Sequence, residues 1–162
     1  MARRNLLEHK KILIVDDEPD VLETLADLLP ISMITKASSF EEAQKLLTER
    51  YFDMAILDIM GVDGYRLLEI AKQRNIVAVM LTAHAFSPDS IKRSYEKGAT
   101  FYLPKEKMIR IEDYLNDIFE DIEKGKNPWD RWLDRLGSYC ERHFGPDWQG
   151  DDKDFWARFP FY

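Results

Sequence analysis

Five short apolar segments alternate with helical segments between residues 11 and 124, and this alternation restricts the fold more than any other feature. The first, Ile12-Leu13-Ile14-Val15, is a continuous run typical of a strand buried on both faces of a parallel sheet. The other four strand candidates lie at 31–37, 53–57, 76–81 and 100–103. Five βα units in succession predict an α/β domain with a parallel sheet and helices on both faces.

The segments between the strands carry helix start and stop signals. Asp17 is a candidate cap for the first helix, and Ser39 with Glu42 three residues later forms a capping-box pattern for the second. Ser87-Pro88 opens the fourth helix, and Gly98 is typical of a residue just beyond a helix end. The first predicted helix has Pro19 near its first turn and ends before Pro30, and the others cover residues 40–50, 65–74, 88–97 and 108–124. The fifth helix is predicted to turn one apolar face inward, formed by Ile111, Tyr114, Leu115, Ile118, Phe119 and Ile122.

Polar side chains follow the predicted strands at the points where the strands end. Asp16 and Asp17 follow the first strand, Asp58 the third, Thr82 the fourth, and Lys105 the fifth. The carboxyl ends of parallel strands share one edge, where ligands bind in such sheets. Clustered carboxylates need a counter-charge, which a hard cation such as Mg²⁺ and the lysine ammonium supply. This set suits a phosphoryl group, with one aspartate able to act as the nucleophile.

The motifs at these positions resemble the receiver domain of bacterial two-component response regulators. The resemblance covers about residues 10–124 and rests on four ordered segments: ILIVDDEPDV, MAILDIM with GVDGYRLL, VAVMLTAHA and EKGATFYLPKE. It implies a flavodoxin-like, doubly wound five-stranded parallel sheet with strand order 2-1-3-4-5. It also implies Mg²⁺ as the cofactor and an aspartyl-phosphate as the signalling state.

The resemblance assigns the acidic residues and the loop after the third strand. Asp58 corresponds to the phosphoacceptor and also to a metal ligand. Asp17 corresponds to a direct Mg²⁺ ligand, and Asp16 to a residue that assists through a water molecule. Met60, two positions beyond Asp58, corresponds to the residue whose main-chain carbonyl binds the metal.

The resemblance also assigns the switch residues and the partners. Thr82 corresponds to the hydroxyl that turns toward the phosphoryl group, and Lys105 to the ammonium that pairs with it. Tyr102 occupies the position of the switching aromatic residue, which moves inward with Thr82. The implied partners are a histidine kinase or phosphotransfer protein and an unidentified downstream protein. The output surface of the family is usually the face formed by the fourth helix, the fifth strand and the fifth helix. The expected role is a single-domain regulator or phosphorelay carrier, not a metabolic enzyme.

The chain departs from the family pattern in two places, and the first of these keeps a second interpretation open. The loop from Asp58 to Gly64 is about two residues shorter than usual, and Pro104 precedes Lys105 where the family has a proline after the lysine, so a cis bond is conceivable only at Leu103-Pro104. A phosphorylation-independent receiver fold, used for docking or dimerisation, is therefore the alternative. An aspartate-dependent phosphatase of the haloacid-dehalogenase type is disfavoured, because Met60 stands where its second acid is required.

The sequence divides into an N-terminal arm (1–10), the receiver (11–124) and an aromatic-rich helical extension (125–162). Six basic and seven acidic residues give the extension no basic stripe, which argues against a DNA-binding output module. An apolar stripe at helical spacing comprises Trp129, Trp132, Leu133, Leu136 and Cys140. The stripe is compatible with packing on the receiver, with a homodimer, or with recognition of another protein.

Charge and cysteine content restrict the cellular location and the kinds of partner that the sequence predicts. The net charge of −7 argues against non-specific binding to nucleic acid or to an anionic membrane surface. No apolar run approaches the ~20 residues of a membrane span, and the first residues lack the apolar core of a signal peptide. The single cysteine, Cys140, fits a reducing compartment, so a cytoplasmic location is expected.

Overall fold

The computed structural model describes residues 5–150 and 152–160, and its centre is a five-stranded parallel sheet. The strand order is β2-β1-β3-β4-β5, as the sequence predicts. The strands are β1 (Lys11–Val15), β2 (Met33–Ala37), β3 (Met54–Asp58), β4 (Val77–Thr82) and β5 (Phe101–Pro104). All five residues of β3 are buried, since this strand lies at the centre of the sheet with helices on both faces.

Seven α-helices and two 3₁₀ segments complete the part of the chain that the structure describes. The five receiver helices are α1 (Pro19–Leu28), α2 (Phe40–Glu49), α3 (Gly64–Gln73), α4 (Pro88–Glu96) and α5 (Ile111–Glu123). The later elements are a 3₁₀ segment (Pro128–Arg131), α6 (Trp132–Phe144) and α7 (Lys153–Arg158), and another 3₁₀ segment (Lys105–Arg110) precedes α5. None of the helices in residues 5–150 and 152–160 is long and apolar enough to cross a membrane.

The predicted helix signals are confirmed at three of four places. Ser39 Oγ accepts the main-chain N–H of Glu42 at 3.2 Å and so caps α2, although the Glu42 carboxylate accepts from the N–H of Ser38 and not of Ser39. Ser87 and Ser90 form a complete capping box at the start of α4. Gly98 has the positive φ of +94° expected just after a helix. The prediction of Asp17 as a cap is wrong: Glu18 caps α1 without a side-chain bond, because the side chain that turns back is that of Asp16, whose Oδ1 accepts the Glu18 N–H at 2.9 Å.

Two further predictions need correction, and one possibility that the sequence left open is decided. The fifth helix begins at Ile111 and not at 108, because residues 105–110 form a 3₁₀ segment. Ile122, predicted on the inner face of this helix, is 41% exposed, whereas Asp121 is buried. The Leu103-Pro104 bond is trans, since in residues 5–150 and 152–160 the only cis bond is Phe159-Pro160, and Pro104 continues β5 beside Thr82.

The first described residues pack against the far end of the receiver. The main-chain N–H of Leu6 donates to Asn116 Oδ1 on α5 at 2.7 Å, and Leu7 is fully buried. The N–H of His9 donates to the carbonyl of Ile31 ahead of β2. Residues 5–9 are therefore fixed to the domain, and residues 1–4 of the predicted arm lie outside the described residues.

The C-terminal extension packs on the receiver through its apolar stripe. Trp129, Trp132, Leu136 and Cys140 are buried, while Leu133 is only half-buried. The indole N–H of Trp129 donates to the Ala99 carbonyl at 2.8 Å, and that of Trp132 donates to the Tyr102 carbonyl at 2.9 Å. Of the three arrangements open from the sequence, the structure has the one in which the stripe covers the receiver.

Candidate functional site

The polar residues predicted at the strand ends meet at the carboxyl edge of the sheet. Asp16 follows β1 directly, Asp58 ends β3, Thr82 ends β4, and Lys105 follows β5. The register places Asp58 beside Leu81 and Thr82 beside Pro104, so the four side chains share one edge. Asp16, Asp58 and Thr82 are each at least 95% buried, because the apolar strands carry them into the interior.

Lys105 is the cation at the centre of this group. Its Nζ lies 2.8 Å from Asp16 Oδ2, 3.5 Å from Asp58 Oδ1 and 3.6 Å from Glu18 Oε1. Burial by itself lowers the pKa of Lys105, but its contacts with Asp16 and Asp58 outweigh this effect and the pKa is raised. The lysine is therefore a permanent positive charge within reach of both buried carboxylates.

The Asp58 carboxyl group is destabilised in its ionised form. Burial is the largest cause, the negative charge of Asp16 adds to it, and the ammonium of Lys105 opposes both, so that the pKa rises from 3.8 to about 7. One lysine does not neutralise this group of acids. The site consequently favours a further cation beside Asp58.

The arrangement of the acidic side chains fits a hard divalent cation. Carboxylate oxygens of Asp16, Asp17 and Glu18 lie within 4.8 Å of one another. Asp16 Oδ2 is buried, and among the residues that the structure describes it meets the ammonium of Lys105 at 2.8 Å but no well-aligned hydrogen-bond donor. An all-oxygen donor set with an incompletely satisfied carboxylate is what Mg²⁺ prefers.

Glu18 is a residue that the sequence analysis missed. Its carboxylate joins those of Asp16 and Asp17 and approaches Lys105. The signal available was the run of three consecutive acids after a buried strand. Spacing alone does not show that the third acid turns back toward the sheet edge.

The short loop after Asp58 lies directly against the side chain of Asp17. Gly61 has φ of +84°, and a Cβ atom at this position would lie 2.6 Å from the carboxylate of Asp17. The side chain of Met60 is 56% exposed and points away from the core. The loop thus approaches Asp17 through the main chain, and the predicted use of the Met60 carbonyl as a metal ligand stays a prediction.

Thr82 and Tyr102 lie on the side of the site that faces α4. Thr82 Oγ1 accepts the main-chain N–H of Ala85 at 3.1 Å and so fixes the start of the β4–α4 loop. Tyr102 is fully buried, and its hydroxyl lies 2.6 Å from Ser90 Oγ on α4. Burial raises the pKa of Tyr102. Tyr102 is already turned inward here, and its predicted role as a moving switch stays a prediction.

A parallel 2-1-3-4-5 sheet with three acids, a threonine and a lysine at its carboxyl edge defines a receiver-type signalling domain. The chain matches the family described as Response regulator receiver domain over residues 12–116. More than half of the 162 residues are covered, and the chain belongs to this family. Such domains receive signals in two-component systems and are not metabolic enzymes.

Curated relatives share the receiver portion of the chain. A probable transcriptional regulator, ycf27 of Cyanidium caldarium, is 37% identical over 127 residues, which is 72% of this chain and 50% of that protein. The heme response regulator HssR of Staphylococcus aureus is 37% identical over 98 residues, covering 57% of this chain and 43% of that protein. The chain thus spans half or less of the length of these relatives.

Solved structures show the same fold. A CheY-like receiver domain protein from Methanospirillum hungatei has a TM-score of 0.58 and 25% identity, and the match covers 70% of this chain and 99% of that one. A response regulator from Burkholderia pseudomallei, solved with a phosphorylated aspartic acid, has a TM-score of 0.60 and 22% identity, with 72% of each chain covered. The second likeness establishes the fold alone.

Proposed function

We propose that Asp58 accepts a phosphoryl group from a histidine kinase or phosphotransfer protein, in a Mg²⁺-dependent step, and that the protein acts as a single-domain regulator or phosphorelay carrier. The observation that carries this proposal is the placement of the buried Asp58 carboxylate at the end of β3, 3.5 Å from the ammonium of Lys105. A buried nucleophile beside a fixed cation is what phosphoryl transfer requires.

The side chains divide the work of the transfer between them. One carboxylate oxygen of Asp58 attacks phosphorus, the bond from phosphorus to the donor nitrogen breaks, and the donor imidazole keeps the electron pair and takes a proton. Lys105 pairs with the transferred phosphoryl oxygens, since its ammonium is already within reach of Asp58. Thr82, one strand away at the same edge, supplies a hydroxyl donor.

The acidic residues would hold the metal. Asp17 and Asp58 are the direct carboxylate ligands, Asp16 assists, Met60 contributes its main-chain carbonyl, and Glu18 adds negative charge at the rim. When bound, Mg²⁺ supplies positive charge that neutralises the phosphoryl oxygens. The pKa of Asp58 is raised in the folded protein, so a neighbouring cation is required to favour the ionised carboxylate that has to attack.

The test is the intact mass of the protein after incubation with acetyl phosphate and Mg²⁺. Wild type is expected to gain one phosphoryl group, and the gain should disappear in Asp58→Asn and when EDTA replaces Mg²⁺. Asp53→Asn, which changes a half-buried aspartate just before the opposite end of the same strand, is the matched control and is expected to behave as wild type. A stable adduct on Asp58→Asn would overturn the proposal.

A second candidate function is docking without phosphorylation, and the short loop after Asp58 is the observation that favours it. The loop leaves no room for a side chain at Gly61, so small movements there displace the carboxylate of Asp17. A Mg²⁺ titration separates the two functions. No Mg²⁺ binding together with no phosphoryl adduct would support a docking or dimerisation module.

The extension argues against DNA binding by this chain, although the relative from Cyanidium caldarium is named as a probable transcriptional regulator. The apolar face of the extension is buried against the receiver, and its charges nearly cancel. A cytoplasmic setting and the alternative of a homodimer also stay proposals. Site-specific retardation of DNA at low salt would revive the DNA-binding function.

A further inference from the structure

The C-terminal extension covers the face formed by α4, β5 and α5. On β5 and the turn before it, the indole N–H groups of Trp129 and Trp132 donate to main-chain carbonyls. On α4, the Tyr95 ring packs against three aromatic rings of the extension, those of Trp129, Phe155 and Phe159. The part of the receiver expected to present the output surface is therefore occupied by the chain itself.

Polar contacts hold the extension to helix α5. Arg131 donates two hydrogen bonds to the buried carboxylate of Asp121 on α5, at 2.9 and 3.0 Å. Arg135 lies 2.7 Å from Asp117 of the same helix and stacks on the Tyr114 ring. These charge-assisted contacts give the extension one defined position on the receiver.

Phe86 connects the strand-end site to the extension. It is the fourth residue after Thr82, and its neighbour Ala85 donates its N–H to the Thr82 hydroxyl. The Phe86 ring contacts three rings of α6, with centroid distances of 4.6 Å to Phe144, 5.0 Å to His143 and 5.4 Å to Tyr139. A shift of the β4–α4 loop therefore moves an aromatic ring that lies within the α6 contact.

A second connection starts at Lys105 and reaches the same point. The ammonium of Lys107, two residues after Lys105, lies 5.0 Å from the centre of the Tyr139 ring. Burial and, after it, the neighbouring Glu106 carboxylate raise the pKa of Tyr139. Tyr102 is buried beside these residues: its hydroxyl lies 2.6 Å from Ser90 Oγ, and its ring packs edge-on against Phe86 and Trp132, with centroid distances of 6.0 and 6.5 Å. The route from the site to the extension thus runs through Phe86 and Tyr139.

We infer that the extension is the part of the chain that responds to Asp58: phosphorylation draws the Thr82 hydroxyl from the Ala85 N–H, moves Phe86 out of its contact with Tyr139, His143 and Phe144, and loosens α6 and α7 from the α4–β5–α5 face. This inference rests on the proposed function of Asp58. It assigns the downstream signal to release of a covering segment belonging to the same chain.

The chain carries a built-in probe for this change. All four tryptophans, Trp129, Trp132, Trp148 and Trp156, lie in the extension, so the receiver contributes no tryptophan emission. Beryllofluoride with Mg²⁺ is the probe used for the phosphorylated state, and ¹⁹F NMR measures its binding independently. On binding, tryptophan emission is expected to shift to longer wavelength and acrylamide quenching to increase.

Two variants separate the route from the chemistry. Phe86→Leu is expected to bind beryllofluoride and to show no emission shift, because the contact with α6 is already lost. Phe40→Leu, which changes an equally half-buried phenylalanine on α2, is expected to give the full shift.

Each outcome bears on a different claim. Bound beryllofluoride with unchanged wild-type emission would overturn the inference and leave the function of Asp58 standing. A full shift in Phe86→Leu would overturn the route through Phe86. No bound beryllofluoride in any variant would overturn the function of Asp58 and the inference with it.

Discussion

The ammonium nitrogen of Lys105 lies 2.8 Å from the buried carboxylate oxygen Oδ2 of Asp16. The same nitrogen is 3.5 Å from Asp58 Oδ1, so Lys105 is held mainly by the acid that does not react. A cation bound among the acids would replace Lys105 as the positive charge that neutralises Asp16. Lys105 would then be free to pair with a phosphoryl group on Asp58.

Loss of Lys105 is expected to cost stability as well as phosphorylation. Lys105→Met leaves Asp16 buried without its ion-pair partner, which should lower the free energy of unfolding by about 3 kcal/mol. Urea unfolding in Mg²⁺-free buffer measures this. The control is Lys36→Met, which breaks the exposed Lys36–Glu23 pair and is expected to cost no more than about 0.5 kcal/mol. Equal losses in both variants would contradict the account.

Stability is expected to depend on pH through Asp58. Its pKa is raised from 3.8 to about 7, so the folded protein holds this proton more tightly than the unfolded chain. Without divalent cations, Asp58 therefore costs nothing below its unfolded pKa, and the cost grows from about pH 4 to its full value above about pH 7.

The variant Asp58→Asn removes this pH-dependent cost. It should be more stable than wild type by about 2 kcal/mol at about pH 8, and the difference should vanish by about pH 4. Chemical denaturation across this range is the measurement. Added Mg²⁺ should narrow the gap at high pH, because it stabilises only the carboxylate. An Asn variant that is less stable than wild type at high pH would show that burial does not destabilise this group.

A side chain at Gly61 is expected to disturb the metal site. Gly61→Ala places Cβ 2.6 Å from the Asp17 carboxylate, and we expect Mg²⁺ affinity to fall by about tenfold or more. Gly125→Ala is the matched control, since Gly125 also has a positive φ, of +71°, but no atom of the described residues lies within 4 Å of its Cβ position. Isothermal titration with Mg²⁺ compares the two, and equal affinities would show that Asp17 does not bind the metal.

The ion pair between the extension and α5 is expected to contribute more to the free energy of unfolding than an exposed pair of the same chemistry. Arg131→Met should lower the free energy of unfolding by about 2 kcal/mol, because Asp121 is buried and loses two hydrogen bonds. Arg110→Met breaks the exposed Arg110–Asp113 pair at 3.7 Å and should cost less than about 0.5 kcal/mol. Unfolding of the two variants at the same denaturant concentration would contradict this prediction.

The fold was predictable because the strands are buried on both faces. Runs such as Ile12–Val15 differ from the amphipathic helices around them, and the observed strand β1 differs from that prediction by one residue. The strand ends then bring Asp16, Asp58 and Lys105 to one edge, since a parallel sheet leaves no other arrangement.

Tertiary contacts decided what the sequence pattern did not. Helical spacing placed Ile122 inside, but Asp121 is buried instead because Arg131 from the extension pairs with it. Glu18 joins the acidic group only because the chain turns back after Asp16, whose side chain accepts its N–H. The extension's stripe predicted burial but not the surface that buries it, since periodicity contains no information about the partner.

Direct mapping of the phosphorylated residue tests the central claim most closely. The protein is phosphorylated with acetyl phosphate and Mg²⁺, and borohydride reduction then converts an aspartyl-phosphate to homoserine, which tandem mass spectrometry locates. The account predicts homoserine at position 58 and unchanged aspartates at positions 16 and 17. Modification of another residue, or none at 58 while Mg²⁺ is bound, would contradict it.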